Sequence, residues 1–386
     1  MRYDSYMKIL MDIRLLARGG TTGISGYTQD LLQALFELDS ENQYQLFYNA
    51  FRKKSLPVAW YHKSNVTILE RRIPNRLLDL SFRVLNGPKL PEFRAADLVF
   101  SPHFMLTPPV KTPHVITFHD LSFLHHPQFF SNKQHVWHWL QNYKVQAERA
   151  AHIIAVSEFT KFDLIKLLGV PEKKITVIQS GVNEEIKHLY KDTEFQESLH
   201  KKYQFEWPYF LSLGTIEPRK NILALIRAFS FLKEDPAFKF HKLIVAGKKG
   251  FGFEDVAKEA KQSKYSSDIL FLHSVPDEDR VYLYTWARAF IYPSFFEGFG
   301  FPPLEAQVCQ TPVLASDRTS LPEILGDSAL LFNPWSVTEL TKKLFELETN
   351  ETLREDLISR GTKNVERFNW SEAARKTREV FKQSVL

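Results

Sequence analysis

The feature that most constrains the fold of this chain is the alternation of short apolar runs with amphipathic helical patterns. Such alternation is typical of parallel sheets that are covered by helices. The apolar runs form two sets, 8–13, 45–48, 66–69, 98–101, 114–118, 153–157 and 175–178, then 209–214, 243–247, 269–272, 289–292, 313–316 and 329–332. The sequence therefore predicts an α/β protein with two parallel sheets.

The length of the chain and the polar segment between the two sets indicate two domains. A chain of 386 residues is longer than one hydrophobic core ordinarily serves. Residues 183–207 are rich in lysine and glutamate, as is typical of a linker. We expect a first domain over 1–190, a second over 205–369, and a last helix over 370–386 that Ser371 caps.

The stretch 295–305 combines the features of a ligand-binding loop. An apolar strand leads into it, it contains Gly298 and Gly300, and two prolines open the helix that follows. Glycine allows backbone N–H groups to approach a ligand, and a helix N-terminus attracts anions. The carboxylates of Glu297 and Glu305 would then hold hydroxyl groups rather than a phosphate.

Two cations, Arg219 and Lys220, directly precede the helical pattern that starts near Ile222. The helix macrodipole makes that end positive already, so the cations are unfavourable unless a bound anion offsets them. This conflict favours an anion site. A second glycine-rich loop, 19–26, also precedes a helix, but it lacks the dinucleotide spacing G-x-G-x-x-G. By itself it fits a flexible surface loop as well as a phosphate site.

His119 and Asp120 follow the apolar strand 114–118, at the edge where open α/β sheets place ligands. Such a pair can equally cap the strand through hydrogen bonds to loops, and the residues alone slightly favour capping. Neighbouring histidines match no zinc pattern. The acidic run 277–279 is better explained by the first turn of a helix than by a metal-binding D-x-D motif. We expect no metal.

The net charge of +5 includes a basic stretch, 71–83, in which arginines alternate with apolar residues. It is either a solvated helix face or a surface that lies on an anionic membrane, and both interpretations stay open. No nucleic-acid recognition motif accompanies the charge, so no nucleic-acid partner is expected. One cysteine, the absence of a bilayer-length apolar run and the absence of a secretory pattern predict a cytoplasmic protein, with peripheral contact at the inner membrane face as the open question.

Several motifs occur in order along the chain. They are 19–26, Ser101-Pro102-His103, His119-Asp120, Ser157-Glu158-Phe159-Thr160, Gly214 with Glu217-Pro218-Arg219-Lys220-Asn221, and the E-x7-E pair Glu297 and Glu305. Taken together, these motifs resemble the retaining glycosyltransferases of family four, which have the GT-B fold. The resemblance extends from about Lys8 to Trp370, and the Glu-Pro-Arg-Lys-Asn version is similar to bacterial enzymes that build cell-surface polysaccharides.

The resemblance implies two Rossmann-like parallel-sheet domains that face each other across a cleft, with the last helix packed back on the first domain. It implies transfer of a hexose, of mannose or glucose type, from a GDP- or UDP-linked donor to a glycan or lipid-linked acceptor. No cofactor or metal is implied. Two alternatives remain open at this point: a nucleotide-sugar epimerase of the same architecture, and a non-catalytic subunit that binds sugar nucleotides.

The resemblance also assigns roles to individual residues. Lys220 and Arg219 would neutralise the diphosphate, although many family members carry the arginine at the position of Thr215, which leaves the role of Arg219 less defined. Glu297 would face the donor sugar, and Glu305 would accept hydrogen bonds from the ribose. The remaining expected substrate contacts are His119 and Asp120 near the sugar, Gly23 near the phosphates, backbone amides of Gly298, Phe299 and Gly300, and backbone at Ser274 and Val275 for the base.

Overall fold

A computed structural model of the protein describes residues 6–18, 23–50, 56–85, 87, 90–183, 197–198, 201–204, 208–273 and 275–385. The chain divides into two compact units, which we call unit 1 and unit 2. Unit 1 contains residues 1–127, 131–181 and 369–386, and unit 2 contains residues 128–130 and 182–368. Most of the predicted linker 183–207 lies outside the described residues.

The described part of unit 1 contains a seven-stranded sheet in which every neighbouring pair of strands is parallel. Its order is β3-β2-β1-β4-β5-β6-β7. The strands are β1 (Lys8–Asp12), β2 (Gln43–Asn49), β3 (Val66–Arg71), β4 (Leu98–Ser101), β5 (His114–Phe118), β6 (His152–Ala155) and β7 (Ile175–Val177). The predicted parallel sheet is confirmed.

The helices of unit 1 connect and cover these strands. They are α1 (Gly23–Leu38), α2 (Asn75–Val84), α3 (Pro91–Ala95), α4 (Ser122–His125), α5 (Asn132–Gln141), α6 (Tyr143–Arg149), α7 (Glu158–Leu168) and the C-terminal helix, which we label α15 (Trp370–Val385). The C-terminal helix packs on α1 and on β4, β5 and β6, with Phe381 against Phe100 at a ring distance of 5.0 Å.

The cap of the C-terminal helix differs from the expected one. Asn369 Oδ1 accepts hydrogen bonds from the backbone N–H groups of Ser371 and Glu372, at 2.8 and 3.2 Å. The expectation that Ser371 caps this helix is therefore wrong. Asparagine and serine serve equally well as caps, so composition could not decide which of two neighbouring residues takes the position.

Unit 2 contains, within its described residues, a six-stranded parallel sheet of order β10-β9-β8-β11-β12-β13. Its core includes Phe210, Leu225, Phe229 and Leu314. The strands are β8 (Tyr209–Leu213), β9 (Lys242–Ala246), β10 (Ile269–Leu272), β11 (Ala289–Tyr292), β12 (Val313–Ser316) and β13 (Leu330–Phe332). From residue 208 onwards, the described α-helices of unit 2 are α8 (Ile222–Leu232), α9 (Phe253–Gln262), α10 (Asp277–Thr285), α11 (Phe301–Val308), α12 (Leu321–Leu325), α13 (Val337–Thr349) and α14 (Glu351–Val365).

The strand order of unit 2 explains why two distant loops meet. β8 and β11 are neighbours in the sheet although β9 and β10 separate them in the chain. The loops that leave their carboxyl ends, 214–221 and 293–300, therefore start side by side at the same edge of the sheet. Such a reversal of strand order opens a crevice at the sheet edge, which is where open α/β sheets bind ligands.

Helix α2 of unit 1 has one buried face and one exposed face. It buries Leu78, Asp79 and Phe82 but exposes Leu77 and Leu80. Asp79 fixes this orientation, because it pairs with the buried guanidinium of Arg14 at 3.1 Å and accepts a hydrogen bond from Gln141 Nε2 at 3.0 Å. None of the described helices combines the length and the apolar composition that crossing a membrane requires.

Candidate functional site

Arg219 and Lys220 lie against Glu297 where the loops after β8 and β11 meet. Lys220 Nζ is 2.5 Å from Glu297 Oε1, and Arg219 Nη1 is 2.9 Å from Glu297 Oε2. Arg219 also pairs with Glu217 at 2.8 Å, and Lys220 Nζ donates a hydrogen bond to the hydroxyl of Tyr292. The two cations and two carboxylates thus form one neutral cluster, which we call the switch-point cluster.

Burial and charge together set the protonation states in this cluster. Burial by itself would raise the pKa of Glu297, but Arg219 and Lys220 outweigh burial and lower that pKa to about 2. Burial, and then the neighbouring Arg219, lower the pKa of Lys220 from its ordinary value, while Glu297 opposes the shift. Glu297 is therefore a carboxylate throughout the neutral range, held by two cations.

The structure corrects our interpretation of the two cations before α8. We expected a bound anion to be needed to offset them, but Glu297 and Glu217 do so within the protein. In addition, Asn221 adopts a left-handed conformation (φ 55°) between the short 3-10 turn of Pro218–Lys220 and the first turn of α8. The helix dipole alone therefore gives no argument for a ligand here.

The backbone at Glu297 is held by a third loop, which follows β12. The N–H of Glu297 donates to Thr319 Oγ1 at 2.9 Å, and Ser320 Oγ donates to the carbonyl oxygens of Glu297 and Phe299 at 2.9 and 3.0 Å. Thr319 has φ 57°, a conformation that β-branched residues rarely adopt. The sequence analysis missed Thr319 and Ser320, and no motif marks them.

Gly300 is constrained by its backbone and by its surroundings. It has φ +114°, and a Cβ at this position would lie 2.8 Å from Leu321 Cδ2. It immediately precedes α11, which begins at Phe301 and carries the two prolines in its first turn. Phe299 is buried, with its ring 5.6 Å from that of Phe368, and Gly298 lies between it and Glu297.

Glu305 lies on α11 and has a different partner from Glu297. The hydroxyl of Tyr284, on the adjacent helix α10, donates to Glu305 Oε2 at 2.9 Å. Tyr284 is itself buried, and its backbone carbonyl accepts a hydrogen bond from Thr311 Oγ1 at 2.6 Å. The sequence analysis missed Tyr284. The sequence gives only a weak indication that Tyr284 belongs to the candidate site, since a tyrosine in an amphipathic helix ordinarily belongs to the core.

The remaining residues predicted for unit 2 lie near the start of α10. Val275 is in the connection between β10 and this helix, whereas Ser274 lies outside the described residues. The acidic run 277–279 forms the first turn of α10, and Asp279 pairs with Lys202 at 2.5 Å. Across the part of the chain that the structure describes, no three His, Cys, Asp or Glu side chains are grouped as a metal site requires.

In unit 1, His119 and Asp120 follow β5 and are hydrogen-bonded to nearby loops. Burial lowers the pKa of His119 to about 4, and its Nε2 lies 2.8 Å from the carbonyl oxygen of Pro102. A carbonyl only accepts, so the neutral ring carries its proton on Nε2 and presents Nδ1 as an acceptor. Asp120 Oδ1 accepts from the N–H of Ser122 at 2.9 Å. These are the hydrogen bonds that strand capping predicts.

Two further contacts are made by His119, one by its ring and one by its backbone. The ring of Tyr27, from α1, meets it edge to face at a centroid distance of 4.6 Å. Thr160 Oγ1, in the first turn of α7, donates to the His119 carbonyl oxygen at 3.2 Å, and Ser157 caps the same helix. Gly23 is the exposed first residue of α1, and residues 19–22 before it lie outside the described residues.

Family models match both units of the chain. The model described as Glycosyltransferase Family 4 matches residues 22–186, and the model described as Glycosyl transferases group 1 matches residues 190–364. Both models describe glycosyltransferases and together they match most of the chain, so this chain is a glycosyltransferase. It is therefore an enzyme, and the predictions of a transferase and of the GT-B fold are confirmed.

Relatives and solved structures agree with this assignment. The O-antigen chain mannosyltransferase B of Escherichia coli is 29% identical over 94% of this chain and 96% of its own length. The serotype-specific mannosyltransferase WbdA of Escherichia coli is 30% identical over 69% of this chain, which spans only 32% of that relative. A crystal structure of Anabaena HepE with UDP-glucose superposes with a TM-score of 0.72, at 17% identity, over 98% of this chain and 100% of that one.

Replacing Gly300 by alanine should destabilise the glycosyltransferase by roughly 1–3 kcal/mol, because the new Cβ meets both a positive φ and the side chain of Leu321. Chemical denaturation of the whole protein measures this change. The matched control is Gly26→Ala: Gly26 lies inside α1 with no atom near a Cβ, so alanine there should stabilise or leave stability unchanged. Equal effects of the two substitutions would contradict the prediction.

Proposed function

We propose that this glycosyltransferase moves a hexose from a nucleotide diphosphate sugar to a glycan or lipid-linked acceptor during the assembly of a cell-surface polysaccharide. Transfer retains the anomeric configuration and needs no metal. The observation that carries the proposal is the pair of cations, Arg219 and Lys220, at the switch point of unit 2. The names of the two Escherichia coli relatives support mannose as the sugar, and the UDP-glucose in the Anabaena structure supports a nucleotide donor.

Lys220 is the main phosphate ligand in this proposal. Its ammonium group reaches only Glu297 and Tyr292 among the contacts described for it, and it lines a small depression beside Gly214 at the end of β8. Arg219 makes more hydrogen bonds within the protein than Lys220 does, since it also donates to Glu217 and to the carbonyl oxygen of Phe296. Arg219 therefore joins the loops after β8 and β11 and adds charge to the site that Lys220 occupies.

Glu305 holds the ribose hydroxyls in the same proposal. Tyr284 fixes its carboxylate by a hydrogen bond to Oε2, which limits the rotamers that the side chain samples. Val275, with Ser274 before it, contributes backbone groups to recognition of the base. Gly298, Phe299 and Gly300 supply backbone amides to the donor.

The residues of unit 1 act on the sugar and on the acceptor side. His119 is neutral, so its Nδ1 accepts a hydrogen bond from a sugar hydroxyl without adding positive charge next to an anomeric carbon that becomes cationic. Asp120 shapes the same loop through its hydrogen bonds to Ser122. Gly23, the first residue of α1, is a further proposed backbone contact to the donor.

The chemical step is a substitution at the anomeric carbon. The bond between that carbon and the β-phosphate oxygen breaks, and a bond to the acceptor hydroxyl oxygen forms on the same face of the sugar. The departing phosphate takes the hydroxyl proton, so no side chain serves as nucleophile. Lys220 and Arg219 stabilise the charge that develops on the leaving diphosphate. This electrostatic stabilisation is the largest contribution of the protein to lowering the barrier.

The first test replaces the phosphate ligand. Lys220→Ala should lower turnover by roughly a hundredfold or more, because one preorganised cation at a developing charge is worth about that much. Transfer from GDP-mannose and UDP-glucose is measured in buffer that contains EDTA. Lys261→Ala, which removes an exposed lysine from α9, is the matched control and should keep full activity.

Three results would each contradict a part of this proposal. Undiminished transfer by a folded Lys220→Ala protein removes the phosphate role from Lys220. Conversion of the donor without any acceptor, with no transfer when acceptor is added, indicates an epimerase instead. Loss of activity in EDTA that Mg²⁺ or Mn²⁺ restores removes the metal-independent mechanism.

The second test addresses the ribose. Glu305→Ala should weaken binding of the preferred nucleoside diphosphate by roughly tenfold, since hydrogen bonds to a charged group contribute about 1.5–3 kcal/mol. Thermal stabilisation by GDP, UDP, ADP and dTDP identifies the preferred base, and calorimetry then measures affinity. Tyr284→Phe keeps the carboxylate but removes its hydrogen-bond donor, and should show a smaller loss. Unchanged affinity in Glu305→Ala removes the ribose role.

We also propose that α2 brings unit 1 to an anionic membrane surface, where a lipid-linked acceptor is found. Beside the exposed Leu77 and Leu80, Val84 and Leu85 are 64% and 75% exposed. The guanidinium of Arg83 lies 5.1 Å from the ring centre of the exposed Trp139 on α5. The exposed arginines Arg72 and Arg76 lie at the start of the same segment, and this combination of apolar and basic side chains matches an anionic interface.

Co-sedimentation with phosphatidylglycerol vesicles tests the membrane proposal. Replacing both Arg72 and Arg76 by glutamine should lower vesicle binding roughly thirtyfold at low salt, since each basic residue contributes about 1 kcal/mol. The control with equal charge loss is Lys261→Gln with Lys264→Gln, on the surface of unit 2. No binding of the unmodified protein at low salt, or equal loss in both double variants, would contradict the proposal.

A further inference from the structure

Glu297 forms ion pairs with the two cations that the proposed function assigns to the donor diphosphate. Its Oε1 accepts hydrogen bonds from Lys220 Nζ and Ser294 Oγ, and its Oε2 accepts one from Arg219 Nη1. We propose that Glu297 competes with the diphosphate for these cations and thereby makes the enzyme favour the intact sugar nucleotide over the nucleoside diphosphate product. This inference rests on the proposed function and deepens it.

The pairing of charges in the switch-point cluster favours such competition. Lys220 and Arg219 are matched by Glu297 and Glu217, so the four side chains carry no net charge. A diphosphate placed against them with every ion pair intact would be an uncompensated anion in a buried region, which is strongly unfavourable. If the carboxylate of Glu297 leaves Lys220, one cation becomes available to the phosphates.

The structure restricts which part of Glu297 can move. Its N–H and its carbonyl oxygen are bound by Thr319 and Ser320, and Gly300 fixes the end of the same loop. The backbone therefore stays in place, and the carboxylate moves by rotation of its side chain alone. A change of rotamer is sufficient, because Glu297 extends from the loop that borders the donor sugar in the proposed function.

The displaced carboxylate needs new hydrogen-bond donors. This requirement makes the enzyme distinguish the intact sugar nucleotide from the nucleoside diphosphate. An intact donor supplies them from its sugar hydroxyls, so displacement of Glu297 from Lys220 is offset. A nucleoside diphosphate has no sugar on its β-phosphate, so Glu297 competes for Lys220 at full strength. The same side chain thus favours donor binding before transfer and product release after it.

The test is the neutral variant Glu297→Gln, with affinities measured by calorimetry for inorganic pyrophosphate, UDP, GDP and the matching nucleosides. We expect pyrophosphate and the preferred nucleoside diphosphate to bind roughly tenfold more tightly than to the unmodified enzyme, with nucleoside affinity unchanged. Product inhibition should strengthen by the same factor while kcat falls. Ser294→Ala, which removes one hydrogen bond to Glu297, should shift diphosphate affinity in the same direction by less.

The matched control is Glu217→Gln, which removes an equal charge from Arg219 without touching Lys220. Equal gains in diphosphate affinity for Glu217→Gln and Glu297→Gln would show a general charge effect and overturn the competition. Unchanged or weaker diphosphate binding in a folded Glu297→Gln protein would overturn it as well. If Lys220→Ala binds diphosphates normally, the phosphate site itself is misassigned; if only Lys220→Ala behaves as expected, the proposed function stands and this inference falls.

Discussion

Parallel strands that are buried on both faces are the constraint on which this structure depends. Strands such as β8, β11 and β12 have every residue buried, so helices have to connect and cover them. Through those crossovers, β9 and β10 are added on one side of β8, and the chain then returns to add β11 on the other side of β8. The reversal places two loops side by side at one edge of the sheet, and the charged residues of both loops meet there.

The switch-point cluster is a structural device as well as a candidate donor site. Arg219 bridges the two loops by its side-chain contacts with Glu217, Phe296 and Glu297, and its carbonyl oxygen accepts from the N–H of Phe295 at 2.9 Å. Removing one member of a buried ion pair leaves an uncompensated charge. Substitutions in this cluster therefore change the stability of the protein, and each kinetic measurement on a variant needs a matched measurement of folding.

Much of the candidate site could be proposed from the sequence because its motifs are contiguous in the chain. Arg219 and Lys220 are adjacent, and Glu297 and Glu305 are separated by a glycine-rich loop whose length the sequence displays. Partners from distant segments could not be predicted. Tyr284, Thr319 and Ser320 reach the site only because α10 and the loop after β12 pack there. Serine, threonine and tyrosine are too common in helices and loops for their position to carry a signal.

The sequence by itself determined the α/β class, the two parallel sheets and the glycosyltransferase family, because hydrophobic period and ordered motifs are properties of the chain. Only the tertiary structure decided how the charges are paired. From the sequence, Arg219 and Lys220 are adjacent cations that require a nearby anion. In the folded chain, Glu297 lies within hydrogen-bond distance of both. Ion pairing depends on distances of a few ångströms between segments that are far apart in the chain, and only the packed sheet sets those distances.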